Sequence, residues 1–306
     1  MSTAGPHTDP HDHTDLHDLV LAWYNEHGRD LPWRRPDASA WGVFCSEVMS
    51  QQTPLSRVEP AWRQWMERWP TPADLAADSP GEAVRLWDRL GYPRRALRLH
   101  AAATAMVRDH GGEVPSDVEV LLTLPGVGAY TAAAVAAFAF GRRSVVVDTN
   151  VRRVQARAVT GAALAAPALT AAESALARHL LPVGDARAAR WNVAIMELGA
   201  LVCTARGPSC RECPIASRCA WQLAGAPPHD GPARRSQAWH GTDRQVRGAL
   251  MAVLRAAPAP VERDALLTAW PQDRVRADRL LHALVQDGLA EPCGRAGGPE
   301  LFALPR

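Results

Sequence analysis

Four cysteines within seventeen residues constrain this chain more than any other feature of its sequence. Cys203, Cys210, Cys213 and Cys219 have the spacing C-x6-C-x2-C-x5-C. Four thiols this close together cannot all pair in unstrained disulfides, but they can converge on one metal centre, because zinc and iron–sulfur clusters select thiolate ligands. Structural zinc sites usually have two tight C-x2-4-C pairs, and this segment has one. The spacing therefore favours a [4Fe–4S] cluster, with zinc as the alternative.

The length and composition are those of a globular protein of about two domains. The chain has 306 residues, of which 47% are hydrophobic, and a formal net charge of +2. This charge is too small to indicate a nucleic-acid partner, so any DNA affinity must come from local basic patches. No apolar run reaches the roughly 20 residues that span a bilayer, and the polar N-terminus does not resemble a signal peptide. Metal-binding thiols without a disulfide framework predict a cytoplasmic location.

Helical signals dominate the first 220 residues, so the expected fold class is mainly α. Apolar residues at helical spacing predict helices over Leu16–His27 and Trp41–Thr53, and the alanine-rich Tyr130–Phe140 predicts another. The only β-like run, Val145–Val147, is three residues long. Strands therefore have little place in this part of the chain.

Composition and periodicity also predict a division into segments. The last segment, 241–306, combines three predicted helices with two short β-like pieces, which indicates either a small winged-helix-like module or a plain three-helix bundle. The predicted segments are a disordered tail (1–14), a lobe carrying the cysteines (15–40 with 145–222), a helical segment (41–144), a linker rich in Pro, Gly and Arg (223–240) and the C-terminal module (241–306).

A glycine-rich turn separates two predicted helices in the middle of the chain. In Leu124–Gly128, the glycines Gly126 and Gly128 flank one apolar residue. Such a turn directs backbone N–H groups outward at the start of the following helix, where the helix dipole favours an anion. It is typical of a helix-hairpin-helix, which grips a DNA phosphate without reading sequence. A purely structural turn is the alternative.

Two carboxylates stand in apolar surroundings. Glu47 lies on the predicted helix over Trp41–Thr53, where burial raises the pKa of a carboxyl and suits it to donate a proton. Asp148 follows three valines and is placed to cap a helix starting near Val151, whose N–H groups would keep it ionised. One protonated and one ionised carboxyl is the division of roles used to cleave glycosidic bonds. Taken singly, a buried ion pair at Glu47 and a plain N-cap at Asp148 are the favoured explanations.

The combined motifs resemble the helix-hairpin-helix DNA glycosylases and, among them, the adenine DNA glycosylases of the MutY family. The resemblance covers about residues 16–222. The motifs follow one another in the family's order: SEVMSQQT from Ser46, LGYPRRA from Leu90, LPGVGAYTA from Leu124, VVVDTNVRR from Val145, MELGALVC from Met196, and then the four-cysteine loop.

The resemblance implies a catalytic role for four residues. Glu47 matches the acid that protonates a flipped-out adenine, and Asp148 matches the carboxylate that stabilises the sugar cation or its covalent adduct. Asn150 matches a residue that orients these groups. Tyr130 stands where bifunctional relatives carry a Schiff-base lysine, so the resemblance implies a monofunctional enzyme.

The resemblance also assigns DNA contacts. Trp33 and Arg34 match a segment that lines the adenine pocket, since a base must leave the stack before it is attacked. Gln51, Gln52 and Tyr92 match residues that enter the duplex beside the orphaned base. The turn glycines match the phosphate-binding hairpin, and residues 41–144 match the family's six-helix barrel.

The implied activity is base-excision repair of adenine mispaired with 8-oxoguanine or guanine by a monomer acting on duplex DNA, associated with the nucleoid. A thymine or uracil mismatch glycosylase of the same superfamily and a non-enzymatic iron–sulfur DNA-binding regulator are the alternatives. The chain departs from the family at Ser50 and Val193. Its C-terminal module is also too short and too helical for the family's Nudix-like domain, which recognises 8-oxoguanine.

Overall fold

The computed structural model describes residues 14–229, 231, 241–294 and 298–306. Most of the predicted tail and the central part of the predicted linker, residues 1–13, 230 and 232–240, lie outside the described residues. The helices of the described chain are α1 Thr14–His27, α2 Ala40–Ser50, α3 Leu55–Arg68, α4 Pro72–Ala77, α5 Pro80–Leu86, α6 Arg94–Asp109, α7 Val118–Thr123, α8 Ala129–Phe140, α9 Thr149–Gln155, α10 Ala171–His179, α11 Asp185–Leu201, α12 Ala220–Leu223, α13 Asp243–Ala256, α14 Arg263–Leu267 and α15 Arg274–Gln286.

Several helices begin at residues that cap their first turn. The Ser39 hydroxyl accepts a hydrogen bond from the Gly42 N–H at the start of α2, and Thr71 and Thr170 form capping boxes at the starts of α4 and α10. These side chains satisfy backbone N–H groups that have no partner within the helix. The positions at which these helices begin are thus determined by residues of their own first turns.

The chain forms two compact units. One consists of the chain up to Asp37 together with Ala129–Pro232, and the other of Ala38–Gly128 together with Ala233–Arg306, as far as these residues are described. The first unit is built on α1, α9 and α11, whose buried residues include Val20, Trp191 and Leu198. The second unit contains a tryptophan cluster in which the rings of Trp69 and Trp87 pack edge-on against Trp65.

The C-terminal module contains the only β-sheet in the described part of the chain. Its strands are β1 Val261–Glu262, β2 Glu291–Pro292 and β3 Leu301–Ala303, in the antiparallel order β1-β3-β2. Val261 and Pro292 both pair with Phe302, whose side chain is buried. The order of elements is α13-β1-α14-α15-β2-β3. Three helices with a small antiparallel sheet are winged-helix-like, so the plain three-helix bundle is wrong. The mainly helical fold class is confirmed.

Within the described residues, no helix combines the length and the apolar character that crossing a membrane requires.

Candidate active site and cysteine cluster

Helix α2 holds Glu47 in an apolar environment. Every residue of α2 from Trp41 to Met49 is buried, and Glu47 itself is 8% exposed. The Trp41 indole N–H donates to the Trp69 carbonyl at 3.0 Å, which fixes the start of the helix to the second unit's core. Glu47 is therefore a carboxyl held away from bulk water near the C-terminal end of a rigid helix.

The buried guanidinium of Arg95, which is 6% exposed, joins the end of α2 to the loop that precedes α6. Its Nη1 donates to the carbonyls of Val48, Met49 and Gln51 at 2.9, 3.1 and 2.6 Å. Its Nη2 donates to the Thr53 hydroxyl at 3.0 Å and to the carbonyls of Leu90 and Gly91 at 3.2 and 2.9 Å. Burial lowers the pKa of Arg95 to about 10. One side chain thus fixes both loops in which DNA-contacting residues were predicted.

Two predicted DNA-contacting residues in these loops have left-handed backbone. Gln52 has φ 55° and Tyr92 has φ 47°, a region that non-glycine residues rarely occupy. Gln52 is exposed, and the Tyr92 side chain is 43% exposed. Strained backbone that the surrounding structure over-determines is common at functional sites. Both residues lie in loops that Arg95 holds. Gln51, which lies between the end of α2 and Gln52, is half-buried.

The predicted hairpin turn lies between α7 and α8. Gly126 has φ 77°, and a Cβ there would lie 2.7 Å from the Cβ of Arg98. Both the backbone angle and the close approach therefore require glycine. Gly128 differs, since a Cβ there would meet nothing within 4 Å. The Val127 N–H closes the turn by donating to the Leu124 carbonyl at 3.2 Å.

In the first unit, Asp148 and Asn150 are brought together. Asp148 caps α9, where its Oδ1 accepts from the Val151 N–H at 2.7 Å and its Oδ2 accepts from the Asn150 side chain at 2.7 Å. The Asn150 Oδ1 accepts in turn from Arg153 Nη2 at 2.7 Å. Arg153 also donates to the carbonyls of Gly199 and Cys203, both at 2.6 Å. The carboxylate is thus oriented by a relay that reaches the backbone of the first cysteine.

The expectation that the helix start keeps the pKa of Asp148 low is wrong. Burial raises the pKa of this carboxyl, and the hydrogen bonds from Val151 and Asn150 and the charge of Arg153 only partly offset that effect. The N-cap itself is present as predicted, but its backbone donors do not outweigh the loss of hydration.

Arg34 is fixed by a buried carboxylate, Glu197, that the sequence analysis did not single out. Glu197 is fully buried, and it accepts from Arg29 Nε at 2.6 Å, from the Arg29 backbone N–H at 3.0 Å and from Arg34 Nη1 at 2.9 Å. Burial alone would raise the pKa of Glu197, but the hydrogen bonds from Arg29 and the charge of Arg34 outweigh it and lower that pKa. The neighbouring Trp33 is 7% exposed.

Arg95 and Glu197 were missed although both lie inside the motifs quoted above. The signal that marked Glu47, a charged residue among apolar ones on a helix, was also present at Glu197 between Met196 and Leu198. Nothing in the sequence marked Arg95, whose acceptors lie up to 47 residues away. Tyr130 is half-buried near the start of α8 and packs against an alanine-rich cluster of the first unit.

All six cysteines of the chain are described, and none forms a disulfide. Burial raises the pKa of Cys213 to about 11, with additional contributions from the charges of Cys203, Cys219 and Cys210. The four sulfurs therefore lie within electrostatic reach of one another. In the part of the chain that the structure describes, no three His, Cys, Asp or Glu side chains are grouped tightly enough for a single metal ion.

Two polar side chains line the cysteine loop. Arg157 Nη1 donates to the Cys203 sulfur at 3.4 Å and to the Thr204 carbonyl at 2.7 Å, while Gln222 Nε2 donates to the Cys210 sulfur at 3.0 Å. N–H groups that donate to the sulfurs of a cysteine loop are the kind of outer contact that orients the ligands of a metal centre. Four thiols with N–H donors beside them fit an iron–sulfur cluster by the chemistry of the donor set.

The predicted residues divide between the units. The second unit contains Glu47, Gln51, Gln52, Tyr92, Gly126 and Gly128, and the first unit contains Trp33, Arg34, Tyr130, Asp148, Asn150 and the four cysteines. Within the second unit, Arg95 fixes the loops of Gln51 and Tyr92. Within the first, Asp148 and Asn150 are in direct contact.

Comparisons with known proteins show which family this chain resembles. Residues 45–174 match the model of the HhH-GPD superfamily of base excision DNA repair proteins. Over 270 residues the chain is 54% identical to the adenine DNA glycosylase of Mycobacterium tuberculosis (strain CDC 1551 / Oshkosh), covering 88% of each chain. It is 44% identical to the Homo sapiens adenine DNA glycosylase over 65% of this chain and 38% of that one. A solved structure of a thermostable thymine-DNA glycosylase has a TM-score of 0.61 at 28% identity, covering 70% of this chain and 100% of that one.

The fold and these similarities define a DNA glycosylase of base excision repair, an enzyme that binds DNA. Within the HhH-GPD superfamily, the chain belongs to the adenine DNA glycosylase, or MutY, family.

Proposed function

We propose that this enzyme hydrolyses the N-glycosidic bond of adenine mispaired with 8-oxoguanine or guanine in duplex DNA, and that it lacks strand-cleaving activity. The observation that carries this proposal is the 54% identity to an adenine DNA glycosylase over 88% of both chains. An identity this high spans the segments of both units in which the candidate residues lie.

Glu47 acts as the general acid. This residue is 8% exposed among the buried residues of α2, so bulk water does not compete for the proton that it transfers. It donates its proton to the adenine ring, the bond between the sugar C1′ and adenine N9 breaks, and the bonding electron pair leaves with the base. Water then completes the hydrolysis at C1′.

Asp148 stabilises the positive charge that develops on the sugar, or forms its covalent adduct. Its contacts with Val151 and Asn150 hold one carboxylate geometry, so little reorganisation is needed as charge develops. Its raised pKa predicts that activity increases as pH rises through that pKa, because only the ionised form stabilises a cation.

The adenine must leave the helix before it can react. We assign Trp33 and Arg34 to the pocket that receives it, with Glu197 and Arg29 fixing the orientation of Arg34. Gln51, Gln52 and Tyr92 contact the duplex where the base has left, and Gly126 and Gly128 present the hairpin backbone to a phosphate.

Tyr130 supports the monofunctional assignment. A lysine at this point would attack the sugar through its amine and form a Schiff base, and a phenol cannot form that intermediate. The expected product is therefore an intact strand with an abasic site, which breaks only when alkali is added.

Cys203, Cys210, Cys213 and Cys219 would hold a [4Fe–4S] cluster, with Arg157 and Gln222 beside the sulfurs. When bound, the cluster would crosslink the loop and fix its position in the first unit. Iron and sulfide analysis tests this assignment: about four irons per chain are expected for the wild type. The Cys213→Ser variant should lose iron, and the control Cys293→Ser, outside the loop, should retain it. Zinc in place of iron would contradict the assignment.

A single-turnover assay tests the substrate. Duplexes carrying A·8-oxoG, A·G and G·T are incubated with excess enzyme, and each sample is split before alkali is added. Alkali-dependent cleavage at the adenine of the first two duplexes is expected. Cleavage of the G·T duplex alone would instead identify a thymine glycosylase, the activity named for the structural relative with a TM-score of 0.61. Cleavage without alkali would contradict the monofunctional assignment.

A further inference from the structure

The C-terminal module is fixed to the helical part of the second unit at α5. Arg85 of α5 donates to the carbonyls of Arg255 and Ala257, and Arg255 Nε donates to the Val84 carbonyl at 3.0 Å. Gly81 accommodates the chain terminus, since a Cβ there would collide with the Pro305 carbonyl oxygen. These reciprocal backbone contacts fix the orientation of the module relative to α5.

A second attachment lies at the loop of Tyr92. Asp287, at the end of α15, accepts from Arg94 at the start of α6 at 3.1 Å and from Arg247 of α13 at 2.5 Å. The carboxylate therefore joins α13 and the end of α15 to the residues that follow Tyr92. These contacts of Asp287 hold the first turn of α13 beside the loop that contains Tyr92.

Arg244 of α13 lies over the ring of Tyr92, with its guanidinium carbon 4.3 Å from the ring centroid. The guanidinium of Arg95 lies 5.6 Å from the same centroid. Arg244 is exposed, and within the described chain it forms no ion pair and no hydrogen bond to a carbonyl. A guanidinium stacked on a ring keeps its N–H groups directed outward in its own plane.

Arg244 differs in this respect from every other arginine on the described helices of the module. The charges or donors of the others are used within the second unit: Arg247 on Asp287, Arg255 on the Val84 carbonyl, Arg263 on Asp278, Arg274 on Asp264, and Arg276 and Arg279 on Asp243. Arg244 is thus the one cation of these helices that remains available to an external anion.

We propose that Arg244 and Tyr92 form a composite DNA-binding platform, in which Arg244 binds a backbone phosphate beside the position that Tyr92 occupies in the duplex. Exposed aromatic rings with arginines beside them stack bases and neutralise phosphates. The C-terminal module would then be part of the lesion-binding surface through its first helix. This inference rests on the proposed function for the choice of duplex.

The phosphate contact is tested by the salt dependence of binding. Full-length protein carrying Glu47→Gln, which prevents turnover, is titrated onto an A·8-oxoG duplex between 50 and 200 mM NaCl. Each phosphate contact contributes about 0.9 to the slope of log K against log[salt]. Arg244→Ala should reduce the slope by about 0.9, so its affinity loss should be about threefold larger at 50 mM than at 200 mM. Arg244→Lys keeps the charge and should keep the slope.

Arg274→Ala is the matched control. It removes one positive charge from the same module, but Arg274 is already paired with Asp264 at 2.8 Å. Its slope should equal that of the parent protein. An equal reduction of the slope by Arg274→Ala would show a general effect of module charge and would overturn the proposal, as would an unchanged slope for Arg244→Ala.

The stacking is tested by a double-mutant cycle with Tyr92→Ala and Arg244→Ala. An exposed cation–π contact corresponds to about a two- to fivefold change in affinity, so the double variant should lose that much less than the product of the two single losses. Independent losses would refute the platform. Base release by the enzyme with Glu47 intact is a separate measurement: release of thymine rather than adenine would end the proposed function and leave the binding results standing.

Discussion

Replacement of Arg95 by methionine tests the idea that one buried cation fixes the two loops that we propose contact DNA. Methionine has a similar length and no donor. The carbonyls of Val48 and Met49, in the last turn of α2, have no other partner among the described residues, so both would be left buried without a hydrogen bond. The Thr53 hydroxyl and the three remaining carbonyls would each lose one contact.

The expected change in the free energy of unfolding has three contributions. Two orphaned carbonyls cost about 4 kcal/mol, and four further hydrogen bonds at about 1 kcal/mol each cost about as much again. In the other direction, loss of the buried guanidinium relieves a burial cost of at most about 3 kcal/mol, since burial lowers the pKa of Arg95 from 12.5 to about 10. With partial relaxation of the loops, we expect the free energy of unfolding to fall by about 3–5 kcal/mol.

Urea denaturation with linear extrapolation measures this change. Arg94→Met is the control, because Arg94 is exposed and its single ion pair with Asp287 contributes about 1 kcal/mol or less. If Arg95→Met stayed within about 0.5 kcal/mol of the wild type, the loops would not depend on this side chain and the reasoning would fail.

Three further predictions concern single side chains. Asp148→Asn should slow base release at least about a hundredfold, yet raise Tm at pH 7. Because folding raises the pKa of Asp148, the ionised wild-type carboxylate costs stability at that pH. The gain in Tm should therefore vanish as the pH falls toward about 4, where the wild-type carboxyl is protonated. Glu197→Gln should lower the free energy of unfolding by about 2–3 kcal/mol at pH 7, since it leaves two arginines unpaired. Because the pKa of Glu197 is lowered in the folded protein, the wild type should keep this advantage above about pH 4.3 and lose it as the pH falls through the folded-state pKa. Gly126→Ala should lower the free energy of unfolding by about 1–2 kcal/mol and weaken DNA binding. Gly128→Ala should have a much smaller effect on both, which thermal melts and DNA titrations measure.

The helices and the hairpin turn could be predicted because their signals are local. The end of the alanine-rich helix at Phe140 and the glycine at 126 each depend on a few neighbouring residues. The helical character of the module and its two β-like pieces, near β2 and β3, were equally readable. Strand β1 was not predicted, because it is two residues long and pairs with β3 about forty residues away.

What the sequence did not reveal depends on contacts over long separations. Glu197 binds Arg29 across 168 residues, and Arg95 reaches Val48 across 47. The pKa of Asp148 was predicted in the wrong direction because the cap is a local feature, whereas burial is set by the packing of the whole first unit. Sequence motifs predict the groups that we propose carry the chemistry more readily than the groups that orient them.

Direct identification of the released base tests the central claim, that Glu47 drives hydrolysis of adenine from a mispair. Wild-type enzyme and Glu47→Gln are incubated in excess with an A·8-oxoG duplex, and the free base is separated and quantified by mass spectrometry, with duplex binding measured in parallel. We predict one adenine per duplex from the wild type and none from Glu47→Gln, which should still bind the duplex. Adenine release at the wild-type rate from Glu47→Gln, or no adenine from the wild type, would contradict the account.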